Sequence, residues 1–151
     1  MKATPEQIAE YEKMALERGG TVNGVPAHGG TTSPIHRITI LHWRPATLNK
    51  LMRGKIKDRI KYRQVDHAMV AGYAHKEGVP RALGKRRVSL EITLTGKQKE
   101  FDVDSPWKGL FDALVSCGQL LGDTVHLVQI GELSFTRGTE PKTVILLEDL
   151  E

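Results

Sequence analysis

The chain has 151 residues, 39% of them hydrophobic and 26% charged, with 22 basic and 18 acidic side chains for a net charge of +4. That is chain enough for one domain with a sizeable core, and the composition excludes a disordered polymer. No apolar run approaches the ~20 residues of a membrane span, so no membrane partner is expected. A single cysteine, Cys117, allows no intrachain disulfide and points to a reducing compartment such as the cytoplasm.

The N-terminus is polar and has no secretory signal pattern. Thr4-Pro5-Glu6-Gln7 reads as a capping box with proline at the first helical position, and Gly19-Gly20 ends the helix it predicts. Residues 20–33 are rich in Gly, Thr, Pro and Asn and read as a linker. Residues 1–34 are therefore a helical extension, and 35–151 the folded domain.

Ile35–Trp43 is the first strand, ended by Arg44-Pro45 because proline removes a ladder donor. Ala46–Lys57 reads as a basic loop. Asp58 to about His75 reads as a helix whose apolar face is Val65, Ala68, Met69, Gly72 and Tyr73. Arg87–Thr95 alternates strictly, with Val88, Leu90, Ile92 and Leu94 on one face. A turn at Gly96–Lys99 leads to a short extended segment, Phe101–Asp104. Ser105 as N-cap and Pro106 at the first helical position then open a second helix. Its stripe is Trp107, Leu110, Phe111, Leu114 and Val115, and Gly118 is its stop. Strands at Thr124–Thr136 and Lys142–Leu147 flank a turn at Arg137–Pro141. The order β-α-β-β-α-β-β predicts an α+β fold, a mixed β-sheet with two main helices packed on it.

Charge is spread unevenly. Residues 50–63 hold Lys50, Arg53, Lys55, Lys57, Arg59, Lys61 and Arg63 against Asp58 alone, and Arg81, Lys85, Arg86 and Arg87 form a second cluster. Such density suits a polyanion such as nucleic acid, although a basic run can equally be a solvated face. There is no glycine-rich phosphate loop of either common type, and the histidines lack the paired spacing that zinc requires. Cys117 reads as a small buried hydrophobe rather than a nucleophile.

The acidic residues around the second helix carry the candidate chemistry. Asp102 and Asp104, two apart in an extended segment, would share a face. Lys108 follows near the helix start, and Asp123 heads the next β run. Carboxylates delivered from separate elements beside an ammonium make a candidate site for a hard cation, Mg²⁺ or Mn²⁺. The same residues also describe an ordinary Asp-x-Asp in a solvated loop, with Asp123 opening a turn.

The spacing Asp102-x-Asp104, Lys108, Phe111-Asp112-Ala113-Leu114, then Asp123 before a hydrophobic strand, resembles the RusA family of Holliday-junction resolvases. These are endodeoxyribonucleases of phage and prophage origin. Arg44-Pro45-Ala46-Thr47-Leu48-Asn49-Lys50 is similar to the family's Pro-rich, Asn-containing segment, and the likeness spans about residues 36–147. It implies a Mg²⁺-dependent homodimer that binds four-way DNA junctions and nicks two opposing strands symmetrically. It implies Asp102, Asp104 and Asp123 as metal-binding carboxylates and Lys108 as a catalytic base or charge stabiliser. Asp112 would support Lys108 at i+4. Asn49, Lys50, Arg53, Lys55, Lys57, Arg86 and Arg87 would contact the backbone of branched DNA, adding affinity but little sequence information. The chain differs from the family's pattern at Gly122, where a second acid is usual, and at Ser105-Pro106, where an Asn is common. The alternatives are a non-catalytic DNA-binding protein of the same fold with a degenerate metal site, and a protein-interaction domain with negligible affinity for DNA.

Overall fold

The computed structural model describes residues 33–150, so the expected N-terminal helix, its capping box and nearly all of its linker lie outside the described residues. In chain order the elements are β1 (Ile35–Leu41), α1 (Leu48–Met52), α2 (Ile56–Lys76), β2 (Arg86–Leu94), α3 (Trp107–Ser116), β3 (Val128–Arg137) and β4 (Lys142–Asp149). The fold is α+β. Its four strands form one mixed sheet in the order β1-β4-β2-β3, antiparallel except between β2 and β3. Among the described residues no helix is long and apolar enough to cross a membrane.

Alternation sets β2, where Val88, Leu90, Ile92 and Leu94 are each at most 1% exposed. Ile145 of β4 lies in register between Ile38 of β1 and Leu90 of β2, so the inner face is a layer of aliphatic side chains. Val70 and Ala74 of α2 and Leu110 and Leu114 of α3 close over that layer in a single core cluster. Parallel neighbours cannot be joined by a tight turn, and α3 lies on the crossover between β2 and β3. β3 is an edge strand with mostly exposed side chains. Its pairing with β2 shifts register between Val88 and Leu90, where Ser89 Oγ accepts the Glu132 N–H at 3.1 Å. A Cβ at residue 131 would collide with Ser89 Oγ, so only glycine fits there.

Several sequence expectations are corrected. Phe101–Asp104 is not a strand, and the element order is β-α-α-β-α-β-β. Both edges of the preceding strand β2 are already taken, by β4 and β3, leaving the segment nothing adjacent to pair with. It forms a turn instead: Ser105 N–H bonds the Asp102 carbonyl at 2.9 Å, and the Trp107 indole N–H bonds the Val103 carbonyl at 2.7 Å. Ala46–Lys57 is not all loop, because Thr47 sits at the N-cap of α1 with Oγ1 3.5 Å from the Lys50 amide, and Leu51 is buried. α3 starts after Pro106 and has no side-chain cap from Ser105. Gly118 does end it, at φ +80°, with bonds Gln119 N–H to Leu114 C=O (2.8 Å) and Gly118 N–H to Val115 C=O (3.1 Å). That pair of bonds is the Schellman stop.

The inward face of α2 also differs from the expected one. Asp66, Val70 and Ala74 are buried, whereas Val65, Ala68 and Gly72 are exposed. The reason is a buried carboxylate. Asp66 Oδ1 accepts the Trp43 indole N–H at 3.1 Å, and Oδ2 accepts the Ala46 N–H at 3.0 Å. Burial pushes the Asp66 carboxyl up, and these two bonds only partly oppose it.

Asp149 ties three strands together at one end of the sheet, pairing with His36 Nε2 of β1 at 2.8 Å and Arg86 Nε of β2 at 2.6 Å. Burial works to raise the Asp149 carboxyl, but the bonds and charges of His36 and Arg86 outweigh it and hold the group below its ordinary range. A carboxyl lowered in this way stabilises the fold above its unfolded value, about pH 4, and that contribution is lost as pH falls through the lower folded value. The protein is expected to lose stability below about pH 4. Asp149→Asn should be less stable at neutral pH and fall off less steeply in acid, as thermal denaturation across pH will measure.

Candidate functional site

Local structure places the acidic turn before its chemistry is considered. Asp102 and Asp104 are exposed, and neither side chain makes a hydrogen bond or ion pair among the described residues. The turn is anchored at its far end, because the Ser105 carbonyl accepts the Leu48 N–H at 2.9 Å. That bond sets the start of α1, with Asn49 and Lys50, directly against the turn. The Arg44–Lys50 segment is pinned elsewhere by Ala46 N–H on Asp66 (3.0 Å) and by the Arg44 guanidinium on the Lys99 carbonyl (3.3 Å). Two stretches remote in sequence thus form one surface.

Lys108 stands on the first turn of α3 with its side chain 56% exposed. Its Nζ lies 3.2 Å from Asp112 Oδ1 and 3.5 Å from Asp123 Oδ2. The i+4 partnership with Asp112 is therefore present. Asp123 arrives from an irregular segment, since β3 begins at Val128 rather than near residue 124: the Leu127 and Val128 amides both turn back to the Thr124 carbonyl. The hydrogen bond and charge of Asp112, followed by those of Asp123, hold the Lys108 ammonium above the ordinary lysine range. Here its positive charge lies between the carboxylates of Asp112 and Asp123.

The carboxylate oxygens of Asp102, Asp104 and Asp123 are donors of the kind Mg²⁺ and Mn²⁺ take. Spatially, what the structure gathers is Asp112 and Asp123 around Lys108. Lys108 makes no ion pair with Asp102 or Asp104. Among the described residues no three His, Cys, Asp or Glu side chains form a group that could hold a metal ion.

The expected DNA-contacting residues divide sharply. Asn49, Lys50, Arg53, Lys55 and Lys57 are exposed along α1 and the start of α2, and Lys50 Nζ lies over the Tyr62 ring, 5.6 Å from its centroid. Arg53, Lys55 and Lys57 make no ion pair among the described residues, so their charge faces solvent undiminished. Arg86 is a correction. It is 1% exposed, and besides Asp149 it donates to the Gln119 carbonyl and Oε1 and to the Pro80 carbonyl, each at 3.0 Å. A guanidinium committed to the interior cannot reach a phosphate. Arg87 is half-exposed and paired with Glu148 at 2.5 Å, which offsets its charge.

Cys117 has Sγ 3.5 Å from the Leu114 carbonyl, and burial pushes its thiol up, away from thiolate chemistry. Asp66 is the residue that sequence reasoning missed. Its signal was present: it lies four before Val70 and eight before Ala74, on the same helical face. Among known proteins, no family model matches the chain and no curated protein is detectably similar to it.

Proposed function

We propose that the chain is a Mg²⁺-dependent, structure-selective DNA endonuclease that resolves four-way junctions by paired symmetric nicks, acting as a homodimer in the cytoplasm. The observation that supports this reading most is the Leu48–Ser105 hydrogen bond, which joins an exposed basic segment to an exposed acidic turn. One carries cations for a phosphate backbone, and the other carries the carboxylates a hard cation would need. Asp102, Asp104 and Asp123 do not form a ready-made three-residue group and would have to draw together to hold the ion. When bound, it would supply positive charge at a phosphodiester and a more acidic water. Lys108 contributes a further cation beside the scissile phosphate, held in place by Asp112. Lys50, Arg53, Lys55 and Lys57 grip the flanking backbone through charge, which makes binding steeply salt-dependent.

The test is cleavage of a synthetic four-way junction, a duplex and a single strand, each with Mg²⁺ and with Mn²⁺. The junction should be cut in two symmetric places and the other substrates spared. A second reading, a DNA-binding protein of the same fold with a degenerate site, is favoured by the absence of a three-residue ligand group among the described residues. Junction binding that weakens with salt, without cleavage in either metal, would establish that reading and end the first.

A further inference from the structure

Beside the acidic turn lies a cavity of about 420 Å³, bounded by the Trp43–Thr47 segment, the first half of α2 and residues 99–101. That volume is within the ~300–1,000 Å³ of small-molecule sites. Arg44, Lys50, Lys61 and Lys99 line it, against only Asp58 and Asp66 among the acids. Three aromatic rings, those of Trp43, Tyr62 and Phe101, complete the wall. Cations and rings on one concave surface match the two halves of a nucleotide, since phosphate takes charge-assisted bonds and a base takes an aromatic neighbour.

The wall is firmly held. Trp43 is fixed at both ends, its indole N–H by Asp66 at 3.1 Å and its carbonyl by the Thr143 hydroxyl at 2.6 Å. Phe101 packs edge-on against Phe135, with ring centroids 5.2 Å apart. Asp66 is 4% exposed and accepts one N–H on each oxygen, and a carboxylate has lone pairs to spare for the amino group of a base. The cavity also adjoins the candidate site in sequence, because Phe101 immediately precedes Asp102.

We propose that this cavity binds one unpaired deoxynucleotide, its phosphate taken by the lining cations and its base by the aromatic wall. The inference rests on the DNA-processing reading above and adds a source of structure selectivity to it. A paired base must be unstacked and unpaired before it can enter such a pocket, whereas a base at a branch point is already partly free. The pocket thus favours branched substrates without reading their sequence.

The experiment uses the full chain in EDTA, so that binding is tested apart from cleavage. The chain has two tryptophans, and their indole N–H signals, assigned with a Trp43→Phe variant, report by NMR. Each deoxynucleoside monophosphate is titrated beside inorganic phosphate. The monophosphates should move the Trp43 signal, leave that of Trp107 in place, and bind about ten-fold or more tighter than phosphate. Tyr62→Ala, at a 38% exposed position, should weaken monophosphate binding about ten-fold and phosphate binding little. Lys61→Glu, also exposed, should weaken both. Equal binding of phosphate and monophosphates, or a Tyr62→Ala protein that binds like the parent, overturns the pocket. A protein that binds mononucleotides here yet cuts no junction keeps this inference and loses the nuclease reading. One that cuts junctions while no mononucleotide moves Trp43 loses this inference alone.

Discussion

Asp104→Asn is expected to bind a four-way junction as tightly as the parent and to cut it about 10³-fold more slowly. Binding should survive because Asp104 is exposed and its side chain supports nothing else among the described residues. An isosteric amide at such a position changes stability by no more than about 0.5 kcal/mol. Cleavage should fail because a metal ligand contributes through its charge, and stabilisation of several kcal/mol at a phosphoryl centre corresponds to roughly a thousand-fold in rate. Single-turnover cleavage with Mg²⁺, beside a mobility-shift titration without metal, measures the two effects separately. Asp112→Asn is the control: it removes a partner of Lys108 but no proposed ligand, and should lower the rate far less. A variant Asp104→Asn that cut at the parental rate would remove Asp104 from the metal site.

Arg86→Ala should cost about 3–5 kcal/mol of stability, whereas Arg87→Ala, one residue along, should cost less than about 1 kcal/mol. The two side chains leave opposite faces of β2. Arg86 points into the domain, where it joins Asp149 at the end of β4, Gln119 after α3 and Pro80 after α2. Truncation strands the buried acceptors of Gln119 and Pro80 and takes a partner from the half-buried Asp149 carboxylate, the costly case for buried polar groups. Arg87 keeps a half-exposed pair with Glu148 that water can replace. Chemical denaturation of the two variants checks the difference, and a similar loss from both would mean that the interior guanidinium is not holding these loops. Loss of DNA binding by Arg86→Ala would then be a consequence of unfolding, not of a missing phosphate contact.

Elements whose reason is local were legible in the chain. The alternation of Val88, Leu90, Ile92 and Leu94 is a property of nine consecutive residues, and all four are buried as read. The same holds for Trp107, Leu110, Phe111 and Leu114 on α3, and for Gly118, whose left-handed backbone needs no partner beyond its own helix. The pairing of Lys108 with Asp112 follows from helical pitch alone. In the candidate site, the exposure of Asp102, Asp104 and the 50–57 cations also agreed with their polarity.

By itself, then, the sequence determined the α+β class, the strands and helices with strong periodicity, and the presence of acidic and basic groups near one helix start. Tertiary structure alone decided which polar groups went inside, because burial of a charge depends on partners that lie far away in the chain. Asp66 is inside because Trp43 and Ala46 bring donors to it, and Arg86 because Asp149, Gln119 and Pro80 bring acceptors. Pairing decided the rest: with both edges of β2 occupied, Phe101–Asp104 became a turn, and the Leu48–Ser105 bond then set basic segment and acidic turn side by side.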